Sequence, residues 1–167
     1  KKLIGWFQDK MEFGHRALGN RSILADPRDK KMKDIINSAV KYRENFRPFA
    51  PAALEEDAHK IFHIKKNTKI EFMEKTVIVR ANWRKKIPAV THVDNSARLQ
   101  TVSKSVNPKF YNLIKNFKDL TQVPVLLNTS FNLNGEPIVC NVEDAIRTFN
   151  SCGLDILIIG PYVIEKW

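Results

Sequence analysis

The alternation of short apolar runs with amphipathic stretches narrows the folds open to this chain more than any other feature. LIGWF, TVIVR, PVLL and DILIIG are brief, partly β-branched and bounded by polar or turn residues, as strands are. Between them, residues 29–40 carry Met32, Ile35, Ile36 and Ala39 at helical spacing, with Asp29 as the expected N-cap. PKFYNLIKNFK makes a second amphipathic helix with Pro108 at its first position, and EDAHKIF and EDAIRTF read as shorter ones. PAVTHV and ARLQTV are further β-rich runs, a turn falls at Asn134–Gly135, and Pro48 and Pro51 keep KYRENFRPFAPAAL extended. Strands alternating with helices predict an α/β (or α+β) sheet layered with helices. The 167 residues suffice for one domain with a real core and are short for two.

Composition excludes some classes and favours others. No apolar run reaches the roughly 18 residues of a membrane-spanning helix. KKLIGWFQDK has neither an initiating Met nor a signal-peptide core, so the chain reads as a cytoplasmic fragment of a larger protein. Cys140 and Cys152 form no CxxC and read as reduced thiols. The formal charge of +10 favours anionic partners, although the short lysine runs are the pattern of solvated faces.

Four constellations carry chemistry. In MEFGHRALGNRSILADPR, Arg16 and Arg21 sit among glycines and apolar residues rather than among other charges. Arginine grips phosphate or carboxylate with two parallel hydrogen bonds, and glycines let backbone approach a ligand closely. Two readings fit: an anion clamp, with Arg21 projecting into a cleft, or a braced structural loop. A Walker P-loop is excluded, because Asn20 and Arg21 stand where Lys and Ser/Thr belong. Lys41, Arg43 and Arg47 form the second set; on an extended segment Lys41 and Arg43 share a face. NTSFN, with Ser130 and Asn132, emerges from a buried strand, where sheet ligands bind. THVDNSAR offers His92, Asp94 and Arg98, which are too few ligands for a metal, and His59 and His63 lack an acidic companion. Neither a nucleophile elbow nor a Ser-His-Asp order is present.

MEFGHRALGNRSILADPR, VKYRENFRPFAPAAL, HVDNSARLQTV and LLNTSFNLNGEPIV together resemble the C-terminal domain of the NodU/CmcH carbamoyltransferases, in the same order and over nearly the whole chain. The resemblance implies a YrdC-like fold, a twisted mixed sheet with flanking helices. Lys41-Tyr-Arg43 and Ser130-Phe-Asn132 look like the KxR…SxN signature of YrdC proteins. It also implies a reaction in which ATP, with Mg2+ as its counter-ion, and carbamoyl phosphate give carbamoyl-adenylate. A separate N-terminal, iron-containing domain of the actin-like ATPase fold then carries the carbamoyl group to an acceptor hydroxyl. Arg16, Arg21, Lys41 and Arg47 are the implied catalytic residues; Arg43, His92, Asp94, Arg98, Asn128, Ser130 and Asn132 are the implied substrate contacts, and no metal ligands are implied. A homodimer is compatible with the pattern. His15 replaces the family's proline and Asn95 its glycine; asparagine tolerates positive φ, so that turn can survive. The competing readings are a nucleic-acid-binding module of the same fold, which the lack of interleaved aromatics disfavours, and a nucleotide-binding regulatory fragment without turnover.

Overall fold

The computed structural model of the chain describes all residues except Lys1, Arg43, Asn45, Phe46 and Trp167. In chain order it builds β1 (Ile4–Phe7), β2 (Arg21–Ala25) and α1 (Met32–Ile36), which runs on as a wider helical turn through Asn37–Lys41. β3 (Ala50–Leu54), α2 (Glu55–Ile61), β4 (Lys75–Ile78), α3 (Ala81–Arg84) and a 3-10 turn at Pro88–Val90 follow. β5 (Ser96–Val102), α4 (Pro108–Thr121), β6 (Val125–Ser130), α5 (Val142–Asn150), β7 (Ile156–Ile159) and β8 (Tyr162–Glu165) complete the chain. The strands form one mixed sheet in the order β4-β5-β3-β6-β2-β1-β7-β8. Among the described strands, β1–β7 and β3–β5 run parallel and the other neighbouring pairs antiparallel. This is the α/β sheet layered with helices that the sequence predicts.

Successive strand residues point to opposite faces, so each interior strand feeds two cores. Ile23, Ala53 and Leu127 join Met32, Ile36, Ala58, Ile61, Ala145 and Phe149 under α1, α2 and α5. Their neighbours Leu24, Ala52 and Leu126 pack on the other face with Trp6, Leu54 and Val102 against Phe110 and Ile114 of α4. α4 starts cleanly: Asn107 accepts from the Phe110 N–H and Pro108 takes the first turn. Gly19, at φ +114°, lies under Phe110, where an added Cβ would come within 2.2 Å of the ring. Glycine at that point lets the 11–20 loop pass directly beneath α4.

α2 and α4 are also tied through charge. Asp57, nearly buried, accepts from Lys60 at 2.8 Å and Lys118 at 2.6 Å. Burial pushes its carboxyl upward, but the hydrogen bonds and charges of the two lysines outweigh it and hold the carboxyl below the ordinary 3.8. Asp57→Asn is expected to lower stability at neutral pH by about 1–2 kcal/mol. Because the folded-state value is lowered, this stability is complete above the ordinary carboxylate range and disappears as pH falls through it. Urea titrations of wild type and variant should therefore converge progressively as pH falls below about 5 toward the lowered folded-state value; a gap that does not narrow in acid would contradict this role.

Several local expectations are corrected. PAVTHV is not a strand: Pro88 opens a 3-10 turn, and His92 and Ser96 then close a tight turn through the His92 N–H to Ser96 carbonyl bond, with Asn95 at φ 65°. Asp29 does not cap α1, whose first residue follows Lys31; its carboxylate instead accepts from the Lys31 N–H in the turn before the helix. Lys41 is not extended but ends the helical turn, with Tyr42 left-handed at φ 45°. Arg43, paired with it in the extended reading, lies outside the described residues. β8 is an additional strand, reached from β7 through Gly160 at φ 55°.

Candidate functional site

The loop between β1 and β2 crosses one end of the sheet and is braced from every side. The Glu12 carboxylate accepts from the N–H groups of Leu18 (2.6 Å), Asn20 (2.8 Å) and Arg21 (3.4 Å). The loop amides thus already hold an anion, one supplied by the chain itself. Gln100 and Asn128 donate to the Leu18 and Ala17 carbonyls, Trp6 donates to Gly19, and the Gly19 N–H donates to Ser22. Glu12→Gln weakens three charge-assisted bonds at once. A loss of about 1–2 kcal/mol in urea unfolding is expected, and an unchanged midpoint would contradict it.

Arg21 is part of this bracing. It is buried, with its guanidinium donating to the carbonyls of Gln8 (2.6 Å), Asn20 (3.1 Å), Asp9 (3.1 Å) and Cys140 (3.4 Å) and stacked 3.5 Å over the Phe7 ring. Burial lowers its pKa, which Glu12, Cys140 and Asp9 partly offset. The expectation that Arg21 projects into a cleft is corrected: its two terminal nitrogens are turned onto main-chain carbonyls, while Nε is buried without a partner.

Lys41 joins the two halves of the KxR…SxN pattern. From the end of its helical turn the buried ammonium donates to the Ser130 carbonyl (2.6 Å), the Asn132 carbonyl (2.9 Å) and Asn132 Oδ1 (2.7 Å), with Ser130 Oγ at 3.3 Å. The Ser130 hydroxyl itself donates to Asn132 Oδ1 at 2.7 Å. One cation from the helical layer thereby fixes the backbone where β6 leaves the sheet.

Beside this clamp opens a polar cleft. Its narrow part, about 110 Å³, is lined by Arg16, Pro48, Phe49, Met73, Arg98, Asn128 and Ser130 among others. A wider part of about 390 Å³ shares Arg16, Pro48, Phe49 and Arg98 and adds Arg47, Thr76 and His92. His92 and Asp94 then line the adjoining hollow with Lys33. Arg16, Arg47 and Arg98 thus converge, and among the described residues no carboxylate lines the first two parts. Arg47 is also bridged to Glu44 at 2.9 Å, both side chains being exposed, so that pair is a weak tie. A more apolar cavity of about 290 Å³, reached at Leu18, is lined by Glu12, Phe13, Glu71 and Phe72 among others, with no cation among its described lining residues.

His92 is held by a relay. Asp94 accepts from the Ser96 hydroxyl at 2.6 Å and N–H at 2.9 Å, and Ser96 Oγ lies 3.0 Å from His92 Nδ1. These bonds hold the Asp94 carboxyl below its ordinary value, and burial lowers the His92 pKa, with Asp94 opposing and Arg98 and Lys33 assisting. The Asp94 carboxylate accepts the hydrogen bond of the serine hydroxyl, so Ser96 Oγ is left to accept from His92 Nδ1–H, which fixes the proton on that ring nitrogen. Among the described residues no three His, Cys, Asp or Glu side chains converge as a metal cluster, and no helix is long and apolar enough to cross a membrane.

Of the implied site residues the structure brings together Arg16, Arg47, Arg98, His92, Asp94, Asn128 and Ser130 along the cleft, and Lys41 with Ser130 and Asn132 beside it. Arg21 stands apart, and Arg43 lies outside the described residues. Glu12 and Gln100 are functional supports that the sequence did not single out; lone polar residues in a loop or strand carry no periodic signal.

The mixed sheet thus carries three arginines on one polar cleft where the interior strand β6 ends. Comparison with known proteins supplies the family: residues 1–166 match the model described as Carbamoyltransferase C-terminus, and the chain belongs to that family. It is 54% identical over 165 residues to the nodulation protein NolO of Bradyrhizobium diazoefficiens, covering 98% of the chain and 30% of that protein. It is 53% identical over 165 residues to the nodulation protein NolNO of Sinorhizobium fredii, covering 98% of the chain and 24% of that protein. To the 3'-hydroxymethylcephem-O-carbamoyltransferase of Amycolatopsis lactamdurans it is 38% identical over 161 residues, covering 95% of the chain and 30% of the enzyme. The chain thus spans about a third or less of the length of these relatives.

Proposed function

We propose that the cleft binds the phosphates of ATP and carbamoyl phosphate and that the chain forms carbamoyl-adenylate within a carbamoyltransferase, for transfer to an acceptor hydroxyl by an N-terminal domain. The observation that carries the reading is the convergence of Arg16, Arg47 and Arg98 on one cleft beside the Lys41–Ser130–Asn132 clamp. Written in balance, water cleaves carbamoyl phosphate to carbamate and phosphate. A carbamate oxygen then attacks the α-phosphorus of ATP, and pyrophosphate departs. Charge builds at phosphorus and on the leaving group, and prepositioned guanidinium groups stabilise it without a covalent nucleophile. With no carboxylate among the described residues that line the narrow and wider parts of the cleft, Mg2+ fits as a companion of the ATP phosphates rather than as an ion held by protein ligands.

Calorimetry with Mg·ATP tests the reading. Arg16→Ala and Arg98→Ala are each expected to weaken binding about tenfold to a hundredfold, the effect of one or two charge-assisted bonds. No heat and no thermal shift at millimolar Mg·ATP would overturn it.

A further inference from the structure

A second basic region lies at the β4 end of the sheet. From Ala58 to Val93 the chain carries nine lysines and arginines against two acids, Glu71 and Glu74, so seven of the ten net positive charges fall in this stretch. The fold draws its cationic parts together. The His63 N–H donates to the Ile78 carbonyl at 2.9 Å, which starts the 63–69 segment, with Lys65, Lys66 and Lys69, beside β4, the outermost strand. α3 and its flanks supply Arg80, Arg84, Lys85 and Lys86, and the bond from the Arg80 N–H to the Ile61 carbonyl (2.9 Å) holds them at the end of α2. Lys65, Lys66, Lys69, Lys85 and Lys86 are exposed, and among the described residues none of them is paired with a carboxylate. Arg80 and Arg84 each hold one carbonyl through Nε, those of His59 and Val79, which leaves their terminal nitrogens for other partners. These cations line neither the polar cleft nor the apolar cavity. Like charges gathered without counter-ions repel one another, a cost that an anionic partner relieves.

The surroundings decide which polyanion fits. Trp83 packs against the core with Lys86 Nζ 4.7 Å from its ring centroid, so it is not free to stack on a nucleobase. α3, of four residues, is too short to fill a nucleic-acid groove. Lysine is depleted from protein–protein interfaces, so a lysine-rich face is poorly suited to a protein partner. Two apolar side chains are exposed here: Ile78 on β4, and Val93 in the turn whose Asn95 carbonyl accepts from the Val79 N–H. Unpaired lysines beside lone apolar residues match a bilayer surface, where cations meet anionic headgroups and apolar side chains enter the interface. We propose that this face docks the domain reversibly on an anionic lipid surface, at a site separate from the cleft and independent of its proposed function.

Co-sedimentation tests the docking with vesicles of phosphatidylcholine alone and vesicles in which about a third of it is replaced by phosphatidylglycerol. Wild type is expected to pellet with the anionic vesicles only. It should be released as ionic strength rises from about 0.05 M to about 0.5 M, where the screening length contracts about threefold. Lys65→Gln/Lys66→Gln and Lys85→Gln/Lys86→Gln should each weaken partitioning about tenfold. Their urea midpoints and Mg·ATP calorimetry should match wild type, since the four lysines are exposed and line no part of the cleft. Equal binding to neutral and anionic vesicles, or binding to neither, would overturn the proposal. So would variants that pellet as wild type does. Single-stranded RNA and duplex DNA serve as competing probes: tighter binding of either than of anionic vesicles, lost in the same variants, would assign the face to nucleic acid instead. Should one pair of substitutions fail to fold, the other pair and the salt dependence decide.

Discussion

Arg21→Ala is expected to lower the unfolding free energy by about 3–4 kcal/mol, with the midpoint in urea shifting and the slope unchanged. The side chain donates to the carbonyls of Gln8, Asn20, Asp9 and Cys140, and its removal strands one buried acceptor, that of Gln8, and three partly buried ones. An acceptor left buried without a donor costs about 1–3 kcal/mol; the four overlap and do not sum. The stacking over Phe7 adds a smaller contribution, on the order of 1 kcal/mol. Arg21→Lys should recover only part of the loss, because an ammonium cannot match a planar fork spread over carbonyls from three segments. A loss below about 1 kcal/mol for Arg21→Ala would show that these bonds are weaker than their geometry implies.

The second large effect falls on Lys41. Lys41→Met keeps the length of the side chain and removes the ammonium that gathers the Ser130 and Asn132 carbonyls and Asn132 Oδ1. Stability should fall by about 2–3 kcal/mol, since these acceptors are partly buried. Turnover should fall further, by about a hundredfold to a thousandfold, because the backbone leaving β6 forms one wall of the cleft and small misplacements of a reacting group are severe. The two effects separate experimentally: urea unfolding reports the first, and the rate measured well below the unfolding midpoint reports the second. A variant that is destabilised but turns over at the normal rate would reduce Lys41 to a structural tie.

Much of this architecture is legible in the sequence because burial repeats. Ile23 and Leu24, or Leu126 and Leu127, are consecutive apolar residues that feed opposite cores, which marks them as interior strand positions. Pro108 and the spacing of Phe110 and Ile114 announce α4 in the same way. The misses at Arg21, Glu12 and Lys41 share a cause: their partners are largely main-chain atoms, which leave no pattern in the sequence. An arginine among apolar residues reads equally as a clamp or a brace, and Arg21 is settled by carbonyls as remote as that of Cys140. Glu12 sits in a polar loop with no pattern around it, yet it holds three loop amides. Lys41 and Arg43 suggest an extended pair by spacing alone, whereas burial of Ile36 and Val40 carries the helical turn through Lys41. The SxN motif was readable; that Lys41 lies inside it, bonded to both residues, required the fold.

The most direct test of the proposed chemistry is pyrophosphate release from Mg·ATP by this chain joined to an N-terminal transferase domain of the family, with and without carbamoyl phosphate labelled in its carbonyl carbon. Pyrophosphate that appears only when carbamoyl phosphate is present, with the label recovered on AMP before any acceptor is added, is the predicted result. Pyrophosphate formed equally without carbamoyl phosphate, or a labelled acceptor formed with no pyrophosphate at all, would contradict carbamoyl-adenylate formation in this cleft.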